Sequence, residues 1–427
     1  MYSFDLTGLA AMKKNDFVST LRSTWHISLI LCVFAVIVLP PLVAHARPAG
    51  TTIQVNTTTD ELNSNGNCSL REAIRAANLD TAVDACPAGN GADAIMLPLG
   101  TYLLSLEGAG ENNALTGDLD ITADLHIIGH GPDGTIIDGN AIDRVFHIIG
   151  PAVHVAFYSI VIQNGYSAGT GLDGGGGIYN SGVLTISGCI LRNNVTPRIG
   201  GGIDNTGTLI VTHSTFHNNS ALDGGGVFNG GTANINSVTF YDNTGETTGG
   251  GFDNWLTAGL TNVTFSGNTS PSGGGIFNDG DLSMLNCTIT DNESGIANRG
   301  TARSKSTIIA NSSSGSENNC TDSSVTSEGY NLDSGTACGF SDVTDLSNIN
   351  PSLSPLGDNG GPTWTHALLS DSPAIDKGSD LECPQLDQRG ALRPADGDDN
   401  GSAICDIGSV EFNGIFPAFI YLPLVRR

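Results

Sequence analysis

The sequence has little positive charge and few aromatic residues. Its 427 residues include 17 Lys and Arg against 43 Asp and Glu, so the formal net charge is −26, and aromatic residues make up 6 %. A nucleic-acid-binding surface needs the opposite sign of charge, which excludes nucleic acid as a partner. Only 14 % of the residues are charged, whereas coiled coils and helical bundles are rich in Glu, Lys and Arg as well as Ala and Leu. The composition therefore also excludes those two helical classes.

Common catalytic motifs are missing too. The sequence contains no H-E-x-x-H motif of a metalloprotease and no G-x-S-x-G motif of a serine hydrolase, and its histidines do not group at metal-ligand spacing. Its G-x-G-x-x-G-like strings follow strand-like segments but open no helix, so they do not indicate a nucleotide-binding site.

The first 46 residues have the pattern of a secretory signal peptide. The apolar run from Ile27 to Leu39 follows Lys13, Lys14 and Arg22, and the A-x-A cleavage pattern 44–46 comes after it. Translation from Met12 rather than Met1 would give a conventional length, and both starts remain open. We expect a protein that is secreted or held at the cell surface.

Glycine, by contrast, is abundant, and much of it belongs to an internal repeat. The chain has 57 glycines. Five segments that begin with a glycine triplet and end with asparagine recur at intervals of 24 or 25 residues: 175–180, 200–205, 224–229, 249–254 and 273–278. A period of this length is typical of stacked supersecondary units, and these units are rich in Val, Ile, Thr and Phe. The sequence predicts an all-β fold, a parallel β-helix with one coil per repeat.

Apolar and asparagine residues hold fixed positions in every repeat. A second signature ends in the asparagines at 194, 219, 243, 268 and 292. The residues eight and three positions before it are apolar, so we expect two columns of side chains that enter a common core: Ile186, Val211, Ile235, Leu260 and Met284, and Leu191, Phe216, Phe240, Phe265 and Ile289. The asparagines predict two ladders of stacked amides: Asn180, Asn205, Asn229, Asn254 and Asn278, and Asn194, Asn219, Asn243, Asn268 and Asn292.

The cysteines divide into three pairs and two single residues. Cysteines that are close in sequence, in a chain that is exported, predict three disulfides: Cys68–Cys86, Cys320–Cys338 and Cys383–Cys405. Cys189 and Cys287 occupy one column four coils apart. Four coils at about 4.8 Å separate them by about 19 Å, which is beyond the reach of a disulfide. We expect both to be buried free thiols.

One helix is expected ahead of the repeats. Ser69 and Glu72 have the spacing of a capping box, and Leu70, Ala73, Ile74 and Ala77 share one face. A stack of strands exposes its core at each end, so terminal caps are required. The helix predicts an N-terminal cap.

Three segments resemble known modules. The sequence CSLREAIRAAN (68–78) resembles the CSLREA domain of secreted bacterial proteins, and the repeats are similar to right-handed parallel β-helices of the pectin-lyase-like superfamily. The segments 358–376, 387–390, 393–394 and 405–411 are similar to the choice-of-anchor Q domain. The resemblance implies an N-terminal cap at 47–92, β-helix repeats at 93–315 and a C-terminal region at 316–412. Residues 413–427 form an apolar tail that is a candidate sorting or anchor signal.

A column of alternating carboxylates and aromatic rings is the candidate carbohydrate site. Asp204 and Asp253 lie two coils apart, with Tyr179, Phe228 and Phe277 interleaved. Two coils correspond to about 9.6 Å, close to the separation of about 6.5–9.5 Å between the two carboxylates of an inverting glycosidase. Since the neighbouring column points inward, we expect this one to face solvent. Asp204 and Asp253 are the candidate catalytic residues, and the three aromatic residues are the candidate ligand-binding residues.

The strongest metal signal lies near the C-terminus. Asp396, Asp398 and Asn400 alternate ahead of Gly401, as in the first half of an EF-hand loop, although the acid expected at position twelve is replaced by Ile407. These three residues predict a Ca²⁺ site, the one cofactor that we expect.

The expected function is binding rather than catalysis. Pectin-lyase-like folds include lyases, hydrolases, adhesins and passive surface proteins, so the fold does not choose between them. We expect a monomeric protein of the cell surface or medium, whose rigid acidic face binds a polysaccharide or cell-envelope glycan. The alternative is a polysaccharide lyase or a glycoside hydrolase.

Overall fold

The computed structural model describes residues 50–131, 134–168 and 174–417, and the predicted signal peptide lies outside them. The first strands and the one α-helix, α1, are β1 (Thr52–Gln54), α1 (Leu70–Leu79), β2 (Asp93–Met96), β3 (Gly100–Leu103), β4 (Leu119–Ile121), β5 (Leu125–Ile128), β6 (Thr135–Asp138), β7 (Phe146–Ile148), β8 (His154–Tyr158), β9 (Val161–Gln163), β10 (Ile178–Asn180), β11 (Val183–Ser187), β12 (Ile190–Arg192), β13 (Ile203–Asn205), β14 (Thr208–Thr212), β15 (Thr215–His217) and β16 (Ser220–Asp223).

The remaining strands follow in the same rhythm, with a short 3₁₀ helix at Ser316–Asn318: β17 (Val227–Asn229), β18 (Thr232–Asn236), β19 (Thr239–Tyr241), β20 (Thr244–Thr248), β21 (Phe252–Asn254), β22 (Thr257–Thr261), β23 (Thr264–Ser266), β24 (Ile276–Asn278), β25 (Asp281–Leu285), β26 (Thr288–Thr290), β27 (Ile296–Asn298), β28 (Thr301–Lys305), β29 (Ile308–Ala310), β30 (Cys320–Asp322), β31 (Thr326–Ser327), β32 (Leu332–Asp333) and β33 (Leu346–Ser347).

The strands form three long sheets. Sheet 1 has the order β1-β2-β5-β8-β11-β14-β18-β22-β25-β28-β31, sheet 2 the order β30-β27-β24-β21-β17-β13-β10-β7-β4, and sheet 3 the order β3-β6-β9-β12-β15-β19-β23-β26-β29-β32-β33. Within the repeats, each coil contributes one strand to each sheet, and each strand pairs in parallel with strands of the coils before and after it, as β13 does with β10 and β17. Parallel crossovers are right-handed in nearly all proteins. The predicted fold class, a right-handed parallel β-helix with a short N-terminal helix, is confirmed.

The repeat columns have the predicted register. Phe216, Phe240 and Phe265 are fully buried, and their rings stack at centroid distances of 4.8 Å. This separation equals the spacing between neighbouring strands, about 4.8 Å. The two single cysteines, Cys189 and Cys287, are free and buried, as predicted. Burial raises the pKa of each thiol to about 12, so both stay protonated and unreactive.

Both asparagine ladders are confirmed. In the first, Asn205 Nδ2 donates to Asn229 Oδ1 at 2.7 Å, and the same bond links the amides from Asn180 to Asn298. In the second, amides from Asn194 to Asn292 are linked at 2.9–3.0 Å. The amides of both ladders also donate to backbone carbonyls, as Asn229 does to that of Gly231. The ladders therefore satisfy buried polar groups at two corners of each coil.

The region before the repeats contains the predicted helix and disulfide. Ser69 is the N-cap of α1, and the capping box with Glu72 is present in both directions. The buried side of α1 packs against β2 and β4, the early strands of sheets 1 and 2. Asn78 Oδ1 accepts a hydrogen bond from the backbone of Thr122, just beyond β4. The predicted disulfides Cys68–Cys86, Cys320–Cys338 and Cys383–Cys405 are all present.

The chain after the last strand lies along the outer surface of sheet 3. Trp364 O accepts a hydrogen bond from Thr239 Oγ1 at 2.6 Å, and Gln388 Oε1 accepts one from Thr264 Oγ1 at 2.6 Å. A second apolar cluster joins outward residues of β29 to Leu368, Ala374, Ile375 and Ile407. Residues 351–417, which we call the side region, therefore cover the later coils of sheet 3. Within the described residues, no helix is long and apolar enough to cross a bilayer.

The ladders provide a direct test of the fold. We expect Asn229→Ala to lower the free energy of unfolding, because it leaves the amide of Asn205 and two carbonyls without their partner. Each buried group left unsatisfied costs about 1–3 kcal/mol. The control is Asn234→Ala on the exposed side of β18, where we expect a change within about 0.5 kcal/mol. Denaturant unfolding compares the two variants, and an equal loss in both would contradict a stabilising role for the ladder.

Candidate functional site

The carboxylate and aromatic column predicted from the repeats runs along sheet 2 and continues upstream. Strand pairing places Tyr179, Asp204, Phe228, Asp253 and Phe277 side by side on successive strands. Two further members come before them, because His147 pairs with Tyr179 and Asp120 pairs with His147. The predicted residues therefore do form one column, but its most polar end lies outside the regular repeats.

The prediction that this column faces solvent is wrong. Asp204 and Asp253 are completely buried, Phe228 and Phe277 are buried, and Tyr179 is half-buried. The reason is the glycine triplet, which turns back against the outside of the strand that follows it. Gly249 has a φ of 58°, and a Cβ there would lie 2.6 Å from the Cβ of Asp253.

The enclosed carboxylates are bound by the turns that cover them. Gly174 N donates to Asp204 Oδ2 at 3.0 Å, and Thr248 Oγ1 lies 2.5 Å from Asp253 Oδ2. The same hydroxyl lies 2.9 Å from Asp223 Oδ1. A hydroxyl has one hydrogen and cannot donate to both carboxylates. Burial raises the pKa of Asp253 to about 7, so the protonated acid can donate to Thr248, which then donates to Asp223.

The raised pKa predicts how stability changes with pH. The pKa of Asp253 is about 7 in the folded state, against an ordinary carboxyl pKa of 3.8. Binding of this proton stabilises the folded state fully below about pH 4, and the stabilisation is lost as the pH rises through 7. Asp253→Asn keeps a neutral side chain throughout, so its melting temperature relative to the parent should be higher at pH 8 than at pH 5. The control is Asp371→Asn, an exposed site. A difference for Asp253→Asn that does not change with pH would contradict the assignment.

The upstream end of the column holds a cluster of charged residues. Asp118 Oδ2 lies 3.0 Å from Arg144 Nε, and Asp120 Oδ1 lies 3.2 Å from His147 Nδ1. Burial raises the pKa of Asp118 to about 8, and the carboxylates of Asp120 and Asp143 raise it further while Arg144 opposes them. This cluster could not be predicted from the sequence because the repeat is irregular here, and only the pairing of β4 with β7 sets its register.

Sheet 3 carries a second column, which we call the aromatic ladder. It consists of Gln163, Arg192, His217 and Tyr241 on successive strands, together with Trp364 of the side region. The rings of His217 and Tyr241 are stacked at 4.7 Å, and those of Tyr241 and Trp364 at 5.5 Å. Arg192 Nε donates to Gln163 Oε1 at 2.8 Å. Burial lowers the pKa of His217 to about 4, and Arg192 contributes, so its ring is neutral at pH 7.

The aromatic ladder is the more accessible of the two columns. Trp364 is 48 % exposed, and the four strand residues are half-buried. The strand members could have been found by sequence alignment, since Arg192, His217 and Tyr241 lie two positions before the second asparagine of their repeats. Trp364 could not, because its backbone contacts a residue 125 positions earlier in the chain.

The predicted calcium ligands are only partly brought together. Asp396 and Asp398 form a group with Asp376, in which one carboxylate oxygen of each lies within 4.8 Å of the others. Asn400 Oδ1 instead accepts a hydrogen bond from the backbone of Ser402. The carboxylate of Asp376 therefore takes the place that sequence spacing predicted for the amide of Asn400. Calcium binding stays a prediction, with Asp376 as a ligand that sequence spacing did not indicate.

A thermal shift experiment tests this calcium site. Ca²⁺ at about 100 times its Kd should add about 2.7 kcal/mol to the stability of the parent. We expect Asp398→Asn to abolish the shift in melting temperature. Asp399→Asn removes the same charge one residue along the chain, outside the group, and should keep the shift. If calcium did not affect the parent, or if the shift survived in Asp398→Asn, the prediction would be wrong.

Comparisons with known proteins identify no family for this chain. No family model and no curated protein matches the chain. Among solved structures, the crystal structure of pectate lyase Pel9A is similar, with a TM-score of 0.45 and 14 % identity, over 85 % of this chain and 96 % of that one. A likeness this weak transfers neither activity nor site residues. The CSLREA and choice-of-anchor Q resemblances stay predictions.

Proposed function

We propose that the protein is a secreted β-helix that binds a neutral carbohydrate on the aromatic ladder of sheet 3. The observation that carries this proposal is the stack of His217, Tyr241 and Trp364, which ends in a half-exposed tryptophan. Tyr241 stacks between His217 and Trp364 and so holds Trp364 in place. The half-exposed ring of Trp364 offers apolar surface to the C–H groups of a sugar ring, while Gln163 and Arg192 offer polar groups to its hydroxyls.

The shape of sheet 3 supports binding of an extended ligand. The ladder residues stand on successive parallel strands, so they repeat at about 4.8 Å along one straight line. The side region covers the next strands and presents Trp364 at its edge. An extended chain of sugars that follows the ladder would thus meet polar side chains first and end against the tryptophan.

Charge supports a neutral ligand rather than a polyuronate. The formal net charge of −26 repels an anionic polymer at long range. Arg192 is the charged member of the ladder, and its Nε is engaged by Gln163. The polar half of the ladder is therefore suited to hydroxyl groups rather than to many carboxylates.

Secretion is supported by the disulfides. Three disulfides in one chain are typical of oxidising compartments outside the cytosol. The signal peptide at 1–46 stays a prediction, and so does surface attachment through the tail, because residues 418–427 lie outside the described part of the chain.

Binding is favoured over hydrolysis because the catalytic pair predicted from spacing is enclosed. Asp204 and Asp253 have no exposed surface, and glycine turns cover both. A substrate cannot contact either carboxylate in this arrangement. The alternative of a lyase or a glycoside hydrolase therefore has no support from the pair that suggested it.

Binding is tested with a glycan array, followed by calorimetry on the mature chain with the glycan retained best. Loss of a central aromatic side chain from an interface costs about 2 kcal/mol or more, which is about a 30-fold loss of affinity. We expect Trp364→Ala and Tyr241→Ala to show such a loss. The control is Trp255→Ala, which removes a tryptophan of similar exposure, 51 %, after β21 of sheet 2.

Unchanged affinity in Trp364→Ala, or an equal loss in Trp255→Ala, would exclude the aromatic ladder as the binding surface. Melting temperatures of the variants separate lost binding from lost structure. Reducing-sugar and unsaturated-product assays on the same glycans should detect no turnover, and measurable turnover would contradict the proposal in favour of an enzyme.

A further inference from the structure

The charged cluster at the start of sheet 2 brings together three side chains that can ligate a metal. Asp120 and His147 are register partners on β4 and β7, and Asp118 lies two residues before Asp120. One ligand atom from each of the three lies within 4.8 Å of the others. The cluster is separate from the aromatic ladder, which belongs to sheet 3.

One oxygen in this cluster lacks a hydrogen bond. The side chain of Asp120 is completely buried, and its Oδ2 accepts a hydrogen bond from Ala114 N at 2.8 Å. Its Oδ1 accepts none and faces His147 Nδ1 at 3.2 Å. Two atoms that ligate one Zn²⁺ ion at about 2.0–2.2 Å lie roughly 3.0–3.5 Å apart. The spacing therefore suits two ligands of a common ion.

The cluster also holds three buried carboxyl groups. Asp118, Asp120 and Asp143 are all at least nine-tenths buried, and Arg144 pairs with Asp118. Nearby, Arg71 donates to the backbone carbonyls of Gly117 and Asp118. Its charge is matched by the carboxylate of Asp60 and does not offset the cluster. Burial of a carboxylate without a matching positive charge is costly. A bound divalent cation would supply that charge and stabilise the ionised form.

We propose that Asp118, Asp120 and His147 bind a divalent transition-metal ion such as Zn²⁺. The imidazole sets the class of metal, because Ca²⁺ and Mg²⁺ prefer oxygen ligands throughout, whereas a mixed nitrogen and oxygen set suits Zn²⁺ and its neighbours. The rings of Tyr179 and His147 pack in a T-shaped arrangement at a centroid distance of 5.2 Å, which orients His147. The side chain of His147 is 17 % exposed, which gives an ion access from solvent.

The test is equilibrium dialysis of Zn²⁺ against the mature chain after chelator treatment. Excess Ca²⁺ is present to compete with Zn²⁺ for the acidic group of Asp376, Asp396 and Asp398. We expect one tightly bound Zn²⁺ per chain. Asp120→Asn and His147→Gln should each weaken binding at least 10-fold. The matched control is His154→Gln, because His154 also pairs with a carboxylate, Asp124, but both side chains are exposed and the described residues place no third ligand beside them.

A second readout does not depend on the buried aspartate. Co²⁺ bound through an imidazole and two carboxylates gives visible absorption bands, which His147→Gln should remove and His154→Gln should keep. His147 is partly exposed, so its replacement should fold, and circular dichroism checks this. Absence of bound Zn²⁺ in the parent, or binding that is equal in His147→Gln and the parent, would overturn the proposal.

Discussion

The asparagine ladders are the constraint on which the rest of the structure depends. Each amide donates to the next amide and to backbone carbonyls, so neighbouring coils can pair in only one register. A shift by one residue would leave these buried groups unsatisfied and turn every core side chain outward. The stacked phenylalanine rings, the buried thiols, the enclosed column of sheet 2 and the strand members of the aromatic ladder all follow from this one alignment.

The environment of residues inside the repeats could be predicted because every coil has the same register. Columns at a fixed offset from an asparagine share one environment, which placed Phe240 in the core and kept Cys189 away from Cys287. The order of the side chains along the column of sheet 2 was predictable, but their exposure to solvent was not. Whether Asp253 reaches solvent depends on how closely a glycine turn packs over it, and alternation along a strand does not carry that information.

The candidate sites are less predictable because they depend on contacts outside the repeat. His147 and Asp120 meet through the pairing of two irregular coils, and Trp364 reaches Tyr241 because the side region folds back along sheet 3. Regular coils thus supply a rigid scaffold and most of the aromatic ladder, whereas the segments outside the regular repeat supply Trp364 and the charged cluster. The two proposed sites lie on different sheets, so one ligand does not compete sterically with the other for the same side chains.

The alternation of Asp and Phe along sheet 2 has a consequence for how this stack can change in length. Asp204 and Asp253 are separated by Phe228, so each enclosed carboxylate has an aromatic neighbour rather than another carboxylate on that side. Removing the coil of Phe228 would bring two buried carboxylates to about 4.8 Å, where like charges disfavour ionisation of both. The coil of Phe228 therefore cannot be lost alone without that repulsion, whereas loss of the coil that carries Asp204 or Asp253 would not create it.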